Sequence, residues 1–381
     1  MKENRRELAR RRLPMGLLGM LALVVMTETV VIRRGTGLGA GQAWMWKACG
    51  RDAMKASKSC QVLCLGDSQV KHGMMAKVLE NRLKLRTMNL AFSGGQAPTS
   101  YFQLQRVLRA GASPAAVVVD FYPVLLSHGL DENTYRWAEY LSVSEALDLA
   151  RTTHDASFFA WVMMGRLLPS VRFRLDTRQL VTARLRGEQP SSADRLDVFR
   201  RNSWKNQGTL VFEKNPTPWM TNDIDGWIKS AFLPDRVGNP CNMTYVNRFL
   251  KLASDHKVPV FWVLPPDHPK IEERKDQAGV NDRYTRLLHR SVAKYENLVV
   301  LDARHSGYPS NVFYDQSHLD RDGATTLSAD VANAIQTHLS SNRSARLVSL
   351  PTYHAEDPKV PIEDTFETFV ALGDAASRIK K

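Results

Sequence analysis

The chain has 381 residues, 43% hydrophobic and 24% charged, a balance that excludes a wholly disordered protein and supports one substantial core plus an insertion. The formal charge is +13, but it is uneven: residues 1–34 hold eight Lys/Arg against three Glu, and residues 151–215 hold twelve against six Asp/Glu. The basic middle carries no nucleic-acid motif, so it reads as a solvated helix face or as a contact for an anionic polymer or lipid head groups, and no nucleic-acid partner is expected.

In chain order, six basic residues (Lys2, Arg5, Arg6, Arg10, Arg11 and Arg12) precede an apolar stretch from Met15 to Met26. That arrangement predicts a retained signal-anchor or a cleaved signal peptide over residues 1–34, with the remainder of the chain outside the cytoplasm. Residues 35–57 read as a linker. The core then alternates: strand 61–66, helix 69–84, strand 86–92, helix 98–110 and strand 115–121. Residues 126–250 break this rhythm and read as a mainly helical, cap-like insertion with five tryptophans, Trp137, Trp161, Trp204, Trp219 and Trp227. Such rings stack on sugars or fill cores. The core resumes over 251–340, with strands 258–264 and 298–302, a helix around 281–294 and a last helix from Gly323. Residues 341–381 form a tail, extended at first and then amphipathic near Phe366–Ile379.

Alternation of this kind predicts an α/β fold, a mostly parallel sheet with helices on both faces in a flavodoxin-like three-layer arrangement. Functional residues in such sheets lie at the strand C-terminal ends. Cys49, Cys60, Cys64 and Cys241 are compatible with an oxidising compartment, and Cys49 and Cys60 are placed to close a short loop; Cys64 reads as a buried strand residue. No CxxC pair or His cluster argues for a metal, and no cofactor is expected.

Three strand ends carry candidate chemistry. Gly66-Asp67-Ser68 follows the first strand and opens a helix. Asn89-Leu90-Ala91-Phe92-Ser93-Gly94-Gly95 follows the second. Asp315-Gln316-Ser317-His318 precedes the last helix, with Asp and His three residues apart on one turn. Acyl transfer needs a hydroxyl nucleophile, a base, a carboxylate that orients the base and N–H donors for an oxyanion. There is no Gly-x-Ser-x-Gly, so the nucleophile elbow is not the template.

These blocks, in this order, resemble the SGNH (GDSL) hydrolase superfamily, over residues 58–125 and 256–340. The resemblance implies Ser68 as nucleophile, His318 as general base and then acid, and Asp315 as the orienting carboxylate. It implies an oxyanion hole from Ser68 and Gly94, with Tyr122 standing where the third block, usually Gly-x-Asn-Asp, would place an Asn. Asp67, Gly95, Asp120 and His268 fall where substrate contacts are expected, while Asp120 and Tyr122 read equally as structural residues and His268 as part of a rigid surface loop, Pro265-Pro266-Asp267-His268-Pro269. The function implied is an exported or membrane-tethered ester hydrolase or O-acyltransferase forming an acyl-Ser68 intermediate on an acyl ester, with an O-acyl polysaccharide as the substrate guess. The departure at Asp120-Phe121-Tyr122-Pro123 keeps open a scaffold protein that retains the fold without turnover in a cell-envelope complex.

Overall fold

The structure, a computed structural model, describes residues 15–34, 42–130, 134–172, 178, 182, 185–187, 192–232, 237–341 and 345–379. The basic residues Lys2 to Arg12 and the linker portion 35–41 lie outside the described residues. In chain order the elements are α1 (Met15–Arg34), α2 (Gln42–Ala56), β1 (Val62–Leu65), α3 (Ser68–Gly73), α4 (Ala76–Leu83), β2 (Thr87–Asn89), α5 (Ala97–Arg109) and β3 (Ala116–Val119). The insertion holds α6 (Pro123–Ser127), α7 (Thr134–Tyr140), α8 (Val143–Thr153), α9 (Ala156–Leu167), α10 (Pro169–Arg172), α11 (Ser192–Lys205) and α12 (Ile224–Ala231). Then come α13 (Pro240–Asp255), β4 (Val260–Leu264), α14 (Pro269–Gln277), α15 (Val280–Lys294), β5 (Leu298–Asp302), α16 (Arg321–Ser340), β6 (Leu347–Ser349) and α17 (Thr365–Ile379).

The six strands form one all-parallel sheet in the order β2-β1-β3-β4-β5-β6. Parallel strands need crossovers, and the helices of those crossovers cover both faces, which is why β1, β3 and β4 are apolar at every position rather than alternating. One side chain in two points to each face. Leu63, Leu65, Val117, Val119 and Trp262 pack with Phe102 of α5 and Tyr245 and Phe249 of α13. Val62, Cys64, Val118, Phe261 and Val299 pack on the other side with Leu79 of α4 and Leu327 and Val331 of α16.

The linker expectation is corrected over residues 42–56. They form α2, whose Trp46 is fully buried and lies edge-on to Phe92, Trp137 and Tyr140. Trp44, Met45, Trp46, Cys49 and Ala53 recur at helical spacing, and that apolar face docks beside α5. The tail is helical over α17, as the amphipathic pattern near Phe366–Ile379 predicts, and it packs on the domain, where Asn202 of α11 donates to the Glu363 carbonyl and to Thr368 of α17; only β6, which extends the sheet beyond β5, departs from the expected extended segment. Cys49, Cys60, Cys64 and Cys241 are free thiols, so Cys49 and Cys60 close no loop.

The predicted helix 69–84 breaks in two at Met74–Met75, both extended. The insertion explains the break. Thr209 Oγ1 donates to the Met74 carbonyl and accepts the Ala76 amide, and the Leu210 amide donates to the Lys71 carbonyl. A strap over residues 207–213 thereby runs along α3.

Gly66 sets the turn out of β1. Its φ is +130°, and a Cβ there would lie 2.8 Å from the Asp120 carbonyl oxygen. Gly66→Ala is therefore expected to cost about 3 kcal/mol through backbone strain and displacement of the neighbouring strand end, read by denaturant unfolding of the two proteins side by side.

Candidate active site

At the β1 exit, Asp67 caps α3. Its Oδ1 accepts the Gln69 amide at 2.8 Å and its Oδ2 accepts the Tyr122 amide at 3.1 Å, so one carboxylate ties the β1 exit to the β3 exit. The order β2-β1-β3 makes this the point where crossovers diverge, the usual place for a crevice in such sheets. Ser68, partly exposed, is the first residue of α3. Its amide lies in a first turn, where N–H groups have no intrahelical acceptor, and its Oγ makes no hydrogen bond among the described residues.

His318 and Asp315 come together as the spacing required. Nδ1 of His318 lies 2.8 Å from Asp315 Oδ2 and 3.0 Å from Oδ1, and the Ser317 and His318 amides donate to the same carboxylate. An ionised carboxylate accepts only, so Nδ1 carries the proton and Nε2 is left to act as base. Burial opposes charge on His318, but the hydrogen bond and charge of Asp315, with Asp67 and Asp267 beyond, lift its pKa above the usual value. Burial also opposes charge on Asp315, yet His318 and the two amides hold that carboxyl below its usual range.

His318 stands against α3 through His72, one helical turn after Ser68, with ring centroids 5.1 Å apart. Residues i and i+4 share a helix face, so His72 and Ser68 lie on the side of α3 that His318 meets. No hydrogen bond joins Ser68 to His318; such bonds are often long without substrate. His72 itself is held neutral by burial first and by the His318 charge second. Its Nδ1 lies 2.9 Å from the Leu210 carbonyl and must donate to it, leaving Nε2 to accept from Ser93 Oγ at 3.4 Å.

Gly94 sits in the turn after Phe92 with φ +70° and is partly exposed. The turn is fixed from behind, where Trp46 Nε1 donates to the Ser93 carbonyl at 3.1 Å.

Four expected roles change. Tyr122, expected as an oxyanion donor, gives its hydroxyl hydrogen to Asp267, at 3.1 and 3.2 Å from the two carboxylate oxygens. Burial, then the Asp267 charge, raises its pKa well above the usual value, so the proton stays. Asp67 spends both oxygens on backbone amides, and Asp120 is 2% exposed and turned inward. Gly95 is a packing residue, since a Cβ would lie 2.8 Å from the Gly66 carbonyl. His268 is buried, caps α14 and packs edge-on to Phe313. Asp67, Asp120 and Gly95 present no polar side-chain group to an open site; His268 keeps its Nε2 without a hydrogen-bond partner among the described residues, beside the dyad turn whose Gln316 carbonyl accepts its amide.

Sequence reasoning missed the acidic floor beneath Ser68. Asp267, fully buried, accepts from Gln69 Nε2, Tyr122 and Lys275 Nζ, the last at 2.8 Å. Lys275 also pairs with Glu272 at 2.9 Å, and burial, though opposed to its charge, is outweighed by these two acids. Burial pushes Asp67 up to about 7 and Asp120 well above the usual carboxyl range, with neighbouring carboxylates adding to the latter. Phe212, in the strap, was also missed; its ring stacks between His72 and Tyr314, 4.1 Å from each centroid. The signals were present: Asp267 neighbours His268 in a loop leaving a core strand, and His72 lies four residues after Ser68.

The family described as "Protein of unknown function (DUF1574)" matches residues 46–323, a span that begins inside α2 and includes Ser68, Asp267, Asp315 and His318. No curated protein matches the chain.

Lys275 is the lone buried cation contacting two acids in this floor. Lys275→Met is expected to lower stability by about 3–5 kcal/mol near neutral pH, because it leaves the buried Asp267 and Glu272 without their cation. The deficit should shrink as pH falls, since Asp267, whose pKa burial already raises in the fold, takes up a proton and sheds its uncompensated charge. Urea unfolding of both proteins across the range from about pH 5 to 8 checks magnitude and sign.

Proposed function

We propose that this chain, which belongs to the DUF1574 family, is a serine acyl-transfer enzyme that hydrolyses or transfers an ester acyl group through an acyl-Ser68 intermediate. The observation that carries the reading is the Asp315–His318 pair: a carboxylate bound to Nδ1, an unoccupied Nε2, and an imidazole set against the helix that Ser68 opens. The SGNH-like order of the motifs supports the same assignment.

In the proposed reaction, His318 Nε2 takes the Ser68 hydroxyl proton as Oγ attacks the ester carbonyl. The Ser68 and Gly94 amides donate to the oxyanion. The imidazolium, stabilised by Asp315, then gives its proton to the departing alcohol oxygen. Water or an acceptor hydroxyl enters by the reverse sequence, with His318 again as base. Tyr122 is no part of this hole, which leaves two donors rather than three. Proposed localisation is outside the cytoplasm with tethering through the N-terminal segment, carried by the basic-then-apolar order of its residues.

A saccharide ester is the proposed substrate class. Trp219, 64% exposed, pairs through its backbone with Asp315. Asn215 and Thr221 hold the same segment to the Tyr314 carbonyl and the Gln316 side chain. An exposed indole fixed beside the dyad suits the apolar face of a sugar ring.

Three measurements test the reading. A fluorophosphonate probe should label the wild type at Ser68 and not Ser68→Ala, whose acetyl-ester turnover should fall about 10⁴-fold or more; equal labelling of both proteins, or none of either, removes the proposal. With labelling established, kcat/KM should fall on acidification through a pKa above about 6.5, because His318 must be neutral to act and its neighbours favour the charged form. Trp219→Ala should raise KM for an acetylated oligosaccharide about tenfold while leaving a small aryl ester unaffected, as judged by steady-state kinetics on the two substrates.

A further inference from the structure

Among the described residues two surfaces expose large apolar side chains, and they adjoin. In α1, eight large apolar side chains between Leu17 and Met26 are each at least 41% exposed, and they point to every side of the helix. A helix apolar all round has no stable place in water. Near its C-terminal end Glu28 turns back into the protein, accepting the Ser170 amide at 3.0 Å and the Ser170 hydroxyl. Ser170 lies in α10, directly after α9. The α9 helix buries Phe158, Val162 and Gly165 against α7 but exposes Trp161, Met164 and Leu167, the last at 78%. Val143 and Leu147 of α8 continue the exposed face, and between α8 and α9 a groove of about 560 Å³ is lined by Leu147, Ala150 and Phe159, with Arg151 at its edge.

We infer that the outer face of α8 and α9 rests on a lipid bilayer, in the same interface that receives α1. A protein partner would cover one side of α1; a bilayer covers all sides at once. Since Glu28 fixes α1 at the end of α9, a membrane that receives the helix also reaches Trp161, Met164 and Leu167. Arg151 lies exposed on α8 at the edge of the groove, a cation suited to head-group phosphates, and an indole at the boundary is favoured. No helix among the described residues is long and apolar enough to cross a membrane. The apolar run to Met26 rises only about 18 Å against a hydrocarbon core of about 30 Å, so α1 enters the bilayer without spanning it, and the face of α8 and α9 rests at the interface. That contact does not depend on the chemistry proposed for Ser68.

The test uses the full chain in phosphatidylcholine–phosphatidylglycerol nanodiscs. Cys60→Ser removes the one thiol that is not buried, and an environment-sensitive dye is placed by Met164→Cys or, on the opposite face of the sheet, by Gln336→Cys. Dye at 164 should shift to the blue and be quenched by lipids spin-labelled near the head group about threefold or more above dye at 336. Equal quenching at both positions overturns the inference. A blue shift at 164 without lipid quenching also overturns it, because a protein surface or a second copy would then cover α9. Unchanged circular dichroism of both labelled chains keeps a folding defect apart from these outcomes.

Discussion

Asp67 is the constraint on which the site depends. Its carboxylate is 1% exposed and accepts one amide from each side of the crevice, so it fixes the α3 N-terminus against the β3 exit. The parallel register supplies the spacing, and Gly66 lets the two backbones approach to where one short side chain can bridge them. Ser68 follows directly and inherits that position. Gln69, the next residue, reaches down to Asp267 and so links β1 and β4 exits as well. Three strand ends are thus held by hydrogen bonds within three consecutive residues.

That arrangement concentrates acids. Asp67, Asp120, Asp267 and Glu272 share a buried floor with Lys275, and His318 lies within its field. Carboxyls so close resist being ionised together, and burial, with the Asp67 and Asp267 charges, pushes the Asp120 carboxyl well above the usual range. Asp67 and His318 each favour the other's charged form, so the pair titrates as a unit. Under the proposed chemistry this is useful: the floor raises the proton affinity of His318, and the imidazolium formed during attack meets negative charge from Asp315 and from below. The Lys275 pairs keep that floor from repelling itself apart.

The core was legible because buried parallel strands leave continuous apolar runs, and Val62–Leu65, Ala116–Val119 and Val260–Leu264 each do so between turn signals. Asp315 and His318 were legible because their partnership is local, three residues within one turn. What failed was non-local. Tyr122 pairs with Asp267 across 145 residues, and nothing in either local pattern announces it. The α3–α4 break depends on Thr209 and Leu210, far along the chain, so a single helix was the natural local reading. For α2 the helical apolar spacing was present but lay beside a Gly-rich stretch and was absorbed into a linker. Strand β6 has three residues, exposed at both ends, and offers no periodicity to detect.

The insertion meets the core at two places in the site, and this limits what it can be. Through the strap, Phe212 stacks between His72 of α3 and Tyr314 of the dyad turn. Through α7, Trp137 lies edge-on to Trp46, whose indole N–H holds the Ser93 carbonyl of the Gly94 turn. Phe158 of α9 meets Trp137 in turn, with centroids 6.5 Å apart. A cap hinged at one end would need at least one of these contacts to be loose, yet one ends in buried aromatic packing and the other in a half-buried stack closed by the buried His72 ring, and such packing resists sliding. The insertion is therefore a fixed part of the site. With the outer face of α9 on a bilayer, the packed layers Phe158, Trp137 and Trp46 set a constant distance between the membrane and the turn that would bind the oxyanion. A substrate held at that membrane would have to present its ester at that height, whereas a freely diffusing one would face no such restriction.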